Sequence, residues 1–204
     1  MSVKSLILLI AIASTAFFAV AEESPTPVGL EYCTVCHGSQ LKGNANIGAP
    51  RLSGLPQWYI ERQLLNFKSG LRGSHVEDER GAEMRPMVAN LSEQELIAIA
   101  AWVAKTESSL PLPSLKGDIA AGKSLYQSCA ACHGSKGEGN EILGAPKLTG
   151  LNDWYLATQL NHFRLNLRGD NKADSYGQQM KAGSVVITSE EDAANLASYI
   201  TQLN

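Results

Sequence analysis

Two short cysteine motifs contain the residues of this sequence that are best suited to do chemistry. In each motif two cysteines, separated by two residues, are followed at once by a histidine: Cys33, Cys36 and His37 in the first, and Cys129, Cys132 and His133 in the second. Two thiols at this spacing can bond to the vinyl groups of a haem as thioethers, and the adjacent histidine is then placed beneath the iron as an axial ligand. The motifs therefore predict two covalently bound haem c groups.

Two other uses of paired cysteines fit the sequence poorly. A zinc ribbon needs its two cysteine pairs about 15–20 residues apart, whereas 96 residues separate position 33 from position 129. A thioredoxin-like site needs a βαβ setting, and neither motif lies in an alternating pattern typical of strands. Covalent haem is the interpretation that also accounts for both histidines.

An internal repeat organises the rest of the chain. The shift of 96 residues that relates the two cysteine motifs continues without a gap through the segments that follow them. It places three segments on their second copies: 48–50 on 144–146, 58–59 on 154–155, and 71–73 on 167–169. Pro111 and Pro113 lack amide donors and do not fit inside a helix, so they mark a linker. We expect one domain over residues 22–109, a linker over 110–117 and a second domain over 118–204.

The hydrophobic pattern of both copies predicts helices. Apolar residues at 60, 64, 67 and 71, and again at 156, 160, 163 and 167, are spaced as one face of a helix. A last helix in each copy opens with a capping-box pattern, Ser92 with Glu95 and Thr188 with Glu191. A helix is also expected over residues 119–128, and prolines shorten its counterpart in the first copy. The fold class is therefore predicted to be all-α.

Methionine is the sixth iron ligand that the repeat predicts. Once Met1 is removed with the leader, the second copy contains only Met180, which follows its haem histidine by 47 residues. Met84 follows the first haem histidine by the same interval. Met87 is the rival in the first copy, but its repeat partner is Gly183. We therefore predict Met84 and Met180 as axial ligands.

The two remaining histidines do not belong to the repeated site, because His75 and His162 align with Asn171 and Asn66. A histidine–methionine pair favours a higher reduction potential than two histidines. It also fills both axial positions of the iron and leaves none open for oxygen, peroxide or substrate. The pattern therefore indicates electron transfer rather than haem catalysis.

Other repeated residues are candidates for contacts around each haem. Pro50 and Pro146 follow the haem histidines by 13 residues, and their carbonyl groups can accept the imidazole Nδ1–H and so fix the ring; an ordinary turn is the alternative. Buried haem propionates need donors or a cation. The candidates to supply them are Arg72 and Arg168 together with four aromatic residues, Trp58, Tyr59, Trp154 and Tyr155, unless the arginines are solvated and the aromatic residues belong to the core.

The N-terminus predicts export. Lys4 precedes an uncharged apolar run over residues 6–20, and the Ala-Val-Ala at 19–21 fits a small-x-small cleavage pattern. We expect a signal peptide over residues 1–21 and a periplasmic mature protein, with an uncleaved anchor as the alternative. The net charge of −3 gives no support to nucleic-acid binding, which uses a basic stripe.

Together these motifs resemble the class I cytochromes c, and their tandem register resembles cytochrome c4. The resemblance rests on the two cysteine motifs, the Gly-Ala-Pro-x-Leu segments, the Trp-Tyr-x-x-x-Gln-Leu helices and the two methionines, and it covers essentially all of the mature chain. It implies two small all-α domains packed face to face about a pseudo-two-fold axis. It also implies periplasmic transfer of single electrons, often toward a terminal oxidase.

The resemblance also implies redox proteins as donor and acceptor, such as a membrane cytochrome complex and a terminal oxidase, with peripheral membrane association as a further option. Related di-haem domains serve as electron-accepting subunits of dehydrogenases and as fused oxidase domains. A di-haem enzyme such as a peroxidase is the remaining alternative, and it would require one iron with an open or displaceable sixth ligand.

Overall fold

The computed structural model describes residues 29–203, so the predicted signal peptide over residues 1–21 lies outside the described residues. The regular elements are helices: α1 Glu31–His37, α2 Gln57–Ser69, α3 Glu79–Val88, α4 Glu93–Lys105, α5 Ile119–His133, α6 Asp153–Arg164, α7 Ser175–Gly183 and α8 Glu190–Ile200. Short 3-10 turns cover Ser39–Leu41, Ala45–Ile47, Ser184–Val186 and Thr201–Leu203. Residues 29–203 form no strand, only two isolated bridges, Asn44 to Ala49 and Asn140 to Ala145. The prediction of an all-α fold is confirmed.

Both copies of the repeat use the same helix order, α1 to α4 in the first and α5 to α8 in the second. The last helix of each copy is the element against which the others pack: α4 lies against α2, and α8 lies against both α5 and α6. Their inward faces are fully buried, at Leu96 and Ala100 in α4 and at Leu196 and Ala197 in α8. Burying one leucine contributes roughly 1.5–3 kcal/mol, so these faces hold α2 in the first copy, and in the second they hold α6 and the helix that carries the cysteine motif, α5.

The helix that carries the first cysteine motif is shorter than its counterpart in the second copy. This agrees with the prediction made from the prolines of the first copy. Helix α1 has 7 residues and α5 has 15. The Asp118 carboxylate caps α5 by accepting hydrogen bonds from the amides of Ala120 and Ala121 at 2.8 and 3.0 Å, whereas the residue before α1 has no capping side chain. None of the helices in the described part of the chain has the length and apolar character needed to cross a membrane.

The two last helices begin with capping boxes, one of them shifted by a residue from the predicted position. Ser92 and Glu95 form the box of α4 as predicted. The predicted box of α8, Thr188 with Glu191, was wrong, because Ser189 and Asp192 form it instead. Ser189 and Asp192 present the same hydroxyl–carboxylate pair three residues apart, and the Asp192 carboxylate also accepts from the Thr188 hydroxyl at 2.7 Å.

The segment between α4 and α5 has no helix, but buried hydrogen bonds fix it to the second domain. Asp153, which is 2% exposed, begins α6, and its carboxylate accepts hydrogen bonds from the amide and hydroxyl of Ser114 and the amide of Leu115, at 2.5–2.7 Å. Burial alone would raise the pKa of Asp153, but these bonds outweigh burial and hold the pKa below its ordinary value. This carboxylate holds the middle of the linker, and the Gly117 amide, which donates to the Ser198 hydroxyl at 3.0 Å, holds its end.

We expect Asp153→Asn to lower the free energy of unfolding at pH 7 by about 1–3 kcal/mol, because an amide oxygen cannot accept all of these bonds and a buried donor loses its partner. Urea denaturation followed by circular dichroism measures the change. A lowered carboxyl pKa stabilises the fold above the ordinary pKa, and that contribution disappears as the pH falls through the lowered pKa. The deficit should therefore shrink below pH of about 4. The exposed Glu141→Gln is the control, and a deficit that is absent or independent of pH would contradict this account.

Candidate functional site

A large cavity lies beside the cysteine-motif histidine of each domain. The first cavity has about 1220 Å³ of empty space including its mouth, and the second has about 1260 Å³. His37, Pro50 and Met84 line the first. Residues of the second cysteine motif line the second cavity together with Pro146 and Met180: Cys129, Cys132 and His133. The cysteine-motif histidine and the repeated methionine of each copy therefore face one cavity.

The histidine of each cysteine motif is held at one ring nitrogen by a backbone carbonyl. His37 Nδ1 lies 2.8 Å from the Pro50 carbonyl oxygen, and His133 Nδ1 lies 2.8 Å from that of Pro146. A carbonyl only accepts, so Nδ1 carries the proton and the Nε2 lone pair is free to bind a metal. Burial lowers the pKa of both histidines, against the opposing effect of the carbonyl bond, which favours the neutral imidazole that a metal requires.

The cysteines are placed for attachment of a group next to the histidine. All four are free thiols. Cys33, Cys36 and His37 occupy positions i, i+3 and i+4 of α1, which lie on one face of a helix. The second motif repeats this placement at the end of α5. Burial raises the pKa of the Cys33 and Cys129 thiols. The thiols of the first motif are absent from the lining of the first cavity, whereas those of the second motif line theirs.

The methionines are carried by helices whose starts are pinned by buried aspartates. The Asp78 carboxylate accepts from the Gly81 amide at 2.9 Å at the start of α3, and Asp174 caps α7 in the same way at 2.8 Å. Met84 follows one turn later and lines the first cavity. Met87, on the same helix, is 43% exposed and does not line it. The geometry thus separates the two methionines that the sequence left as rivals.

Two arginines reach across the interface between the domains in a crossed pattern. Arg72 donates to Gln63 of its own domain at 2.9 Å, and to Tyr155 and Gln159 of the other at 2.9 and 3.0 Å. Arg168 does the reverse, donating to Gln159 at 2.6 Å, to Gln63 at 2.8 Å and to the Tyr59 hydroxyl at 3.4 Å. The two patterns are related by the 96-residue shift, as expected of domains related by a pseudo-two-fold axis.

These arginines are buried without anionic partners. Within residues 29–203, the ion pairs are Arg80 with Glu83, His162 with Asp78, and Lys181 with Asp170, and none involves an interface arginine. The Nε atoms of Arg62 and Arg72 are buried and have no hydrogen-bond partner. Burial alone would raise the pKa of the Tyr59 phenol, but Arg168 and Arg72 beside it hold the pKa below its ordinary value. The Asp174 carboxylate acts on Arg62 and Arg168 from a distance, but the positive charge at the centre of the interface is not paired with a carboxylate of the described residues.

Haem fits this arrangement. Buried cations are costly unless paired, and the propionates of a haem in each cavity would supply the missing carboxylates. The remaining requirements are also present: free thiols one helical turn apart, an imidazole with a free Nε2, and a thioether facing the same cavity. The residues present could therefore hold one haem per domain.

The predicted aromatic residues occupy different places. Trp154 lines the first cavity. Trp58 lines neither cavity; its ring contacts Tyr59 edge-on at 5.8 Å and lies under the Arg62 guanidinium at 5.0 Å. Four residues line both cavities and form a shared wall between them: Tyr59, Gln63, Tyr155 and Gln159. The repeat contained this signal, because each glutamine precedes its arginine by nine residues.

Comparison with known proteins decides the family. The sequence model described as "Cytochrome c" matches residues 29–107 and again residues 119–204. The chain belongs to the cytochrome c family. Cytochrome c4 of Azotobacter vinelandii is 31% identical over 186 residues, covering 84% of this chain and 84% of that protein. A thiosulfate dehydrogenase electron acceptor of Stutzerimonas stutzeri (strain A1501) is 30% identical over 188 residues, covering 84% of this chain and 78% of that protein.

A solved structure agrees with these relatives. The reduced recombinant cytochrome c4 from Pseudomonas stutzeri matches this cytochrome with a TM-score of 0.66 at 30% identity, covering 86% of this chain and 95% of that chain. The predicted resemblance to cytochrome c4 is confirmed. The protein is a cytochrome c4-like electron carrier with two cytochrome c domains and two covalently bound haem c groups.

We expect replacement of both Cys33 and Cys36 by alanine to reduce the haem content from two per chain to one, because the first domain then has no thiol for a thioether bond. The same replacement of Cys129 and Cys132 is the matched variant and should remove the other haem. Intact-mass spectrometry and the pyridine haemochrome spectrum measure covalent haem. Two covalent haems in either variant would contradict the assignment of these cysteines.

Proposed function

We propose that this cytochrome is a periplasmic carrier that takes single electrons from one redox protein and delivers them toward a terminal oxidase. The observation that carries the proposal is that each cavity is lined by one carbonyl-fixed histidine and one methionine. These residues would supply each haem iron with two ligands from this chain, which would leave no position open for a substrate. Such a site exchanges electrons without binding a reactant.

We assign His37 and Met84 to the iron of the first domain, and His133 and Met180 to that of the second, in domains over residues 22–109 and 118–204. Haem bound there supplies one-electron chemistry, the exchange between ferric and ferrous iron. The Pro50 and Pro146 carbonyls hold each imidazole in the tautomer that presents Nε2. The methionine thioethers are uncharged, which favours a high reduction potential.

The shared wall supports transfer of electrons between the two domains. Tyr59, Gln63, Tyr155 and Gln159 line both cavities, so the same side chains border both cofactors. The Arg72 and Arg168 guanidinium groups lie against this wall, and their hydrogen bonds tie the two domains together. A carrier with two adjacent centres can accept an electron at one domain and release it from the other.

The proposed location and the proposed partners of the protein are linked. The predicted signal peptide over residues 1–21 supports a periplasmic location, where redox proteins serve as donor and acceptor. One candidate arrangement places a membrane cytochrome complex upstream and a terminal oxidase downstream. We propose no enzymatic activity for the protein, because an enzyme such as a di-haem peroxidase would need one iron without its methionine.

A second candidate function is that of a dedicated electron acceptor for a dehydrogenase. It is favoured by the relative of Stutzerimonas stutzeri that is described as a thiosulfate dehydrogenase electron acceptor, which this chain matches over 84% of its length. The same closed haem sites serve either function, and only the donor differs.

We expect Met84→Ala to abolish the methionine-to-iron charge-transfer band of one of the two haems, because alanine offers no thioether to the iron. Met87→Ala is the matched control on the same helix and should leave both bands unchanged, while Met180→Ala should remove the band of the other haem. Absorption spectra of the oxidised protein measure the bands. The native protein should not bind carbon monoxide when reduced; ready binding at neutral pH, or loss of a band only in Met87→Ala, would contradict the proposal.

For the second candidate function, we expect a thiosulfate dehydrogenase supplied with thiosulfate to reduce the oxidised protein within the turnover time of that enzyme. Stopped-flow absorbance of the haem bands measures the rate. Mitochondrial-type cytochrome c at the same concentration is the control for non-specific acceptance. Reduction no faster than that of the control would contradict a dedicated role, and would leave the general carrier as the function.

A further inference from the structure

We propose that Arg62, a residue of the first domain, holds a propionate of the haem in the second domain and raises the reduction potential of that haem. The inference rests on the proposed electron-carrier function and adds a residue that the repeat does not predict. It makes the second haem site complete only when the two domains are packed together.

Arg62 belongs to the second cavity although it lies on α2 of the first domain. It lines the second cavity beside Arg168 and is absent from the lining of the first. Its Nη2 atom donates to the carbonyl of Gly144 in the second domain at 2.6 Å. Gly144 has φ +66°, and a Cβ there would meet the Tyr176 ring first and Arg62 Nη1 at 2.8 Å, so the glycine leaves room for both side chains. The second domain is thus shaped to receive this side chain.

The guanidinium of Arg62 is oriented by aromatic rings and still has an unused donor. Its central carbon lies 4.2 Å from the Tyr176 ring centroid and 5.0 Å from that of Trp58, contacts that favour a cation over an aromatic face. Its Nε is buried and has no hydrogen-bond partner. Arginine keeps its proton in proteins, so a fixed positive charge lines the cavity and an unpaired N–H lies buried behind it.

A carboxylate is the group that best satisfies these two features, because a charge-assisted hydrogen bond from arginine to a carboxylate is the strongest that this donor can make. None of the ion pairs in the described residues uses Arg62. Asp174 also lines the second cavity and acts on the charge of Arg62, but no ion pair joins the two side chains, and the Asp174 Oδ1 atom accepts from the Gly177 amide at 2.8 Å. A propionate of the bound haem is the carboxylate that the cavity would bring there.

The contribution of Arg62 is not matched in the other half of the molecule. Its repeat partner is Thr158, which lines the first cavity but is uncharged. Arg72 and Arg168 are repeat partners with mirrored contacts, so their fields act on the two sites in similar ways. Two other cations of the described residues line the first cavity besides Arg72. Arg51 is buried, but its guanidinium is taken up by the carbonyls of Gly150 and Ser108 at 3.0 Å each, and Arg80 is 55% exposed and paired with Glu83 at 2.7 Å. Arg62 therefore acts mainly on the second haem.

The sign of the effect follows from the charge change on reduction. A ferric haem that takes up an electron becomes more negative, so a nearby fixed positive charge stabilises the reduced form. Removing that charge should make reduction less favourable. One buried or half-buried charge at this range changes the equilibrium constant for reduction by on the order of tenfold, which corresponds to about 59 mV for one electron.

The test uses the full-length di-haem protein and two substitutions of Arg62. Arg62→Met removes the charge and keeps most of the apolar stem, and Arg62→Lys keeps the charge. Redox titration of the charge-transfer bands gives both potentials. The Met84→Ala background, in which only the second haem retains its band, assigns the potentials to domains. Arg80→Met is the control for loss of an exposed, paired cation.

We expect Arg62→Met to lower the reduction potential of the second haem, with a decrease of about tenfold in the equilibrium constant for its reduction. The shift in potential at the first haem should be less than a third as large. Arg62→Lys should restore at least half of the shift. Thr158→Arg, which places a cation at the matching position, should raise the potential of the first haem, and it tests the idea even where Arg62→Met folds poorly.

An unchanged second potential in Arg62→Met would overturn the proposal. So would an equal shift of both haems, which would indicate general loosening of the interface, or a loss of potential in Arg62→Lys equal to that in Arg62→Met. Failure of the electron-carrier function is recognised separately, by carbon monoxide binding or by a missing charge-transfer band in the unmodified protein.

Discussion

The structure depends on positive charge that lies between two domains and makes no ion pair with a carboxylate of the described residues. Arg62, Arg72 and Arg168 meet at the centre of the interface, where their polar partners among the described residues are amide, phenol and backbone oxygens. Neutral acceptors satisfy hydrogen bonds, but they offset only part of the cost of removing a cation from water. The balance requires anions, and the propionates of two haems are the anions that the cavities would bring to this place. Cofactor binding and domain packing are therefore coupled, because the propionates of the haems would neutralise the cations that lie between the domains.

This constraint explains why the interface is polar although the core of each domain is not. The last helices bury Leu96 and Leu196 completely within their own domains, and that packing needs nothing from the other half. Between the domains, Gln63 and Gln159 each accept from both Arg72 and Arg168. A glutamine oxygen has two lone pairs, so each one bridges an arginine of its own domain and an arginine of its neighbour.

The features that lie within a single copy of the repeat could be predicted from the sequence. The cysteine motifs, the Pro50 and Pro146 positions and the helices follow from local spacing, and the shift of 96 residues paired each histidine with a methionine. The contacts that one domain makes with the other could not be predicted in this way. Arg62 has no repeat partner of its own type, and its partner across the interface is the backbone of Gly144, which no side-chain pattern records. The misplaced capping box at Thr188 had a different cause, since Ser189 and Asp192 offered an equivalent pair one residue later.

The wall of Tyr59, Gln63, Tyr155 and Gln159 has a consequence for the speed of electron movement. A charge that appears in water makes the surrounding water molecules turn, and that rearrangement contributes to the barrier. Here the space between the two centres is filled by phenol and amide groups held by guanidinium donors, so their dipoles are already oriented and have little freedom to turn. When an electron leaves one half of the molecule for the other, the medium that it crosses has almost nothing to rearrange.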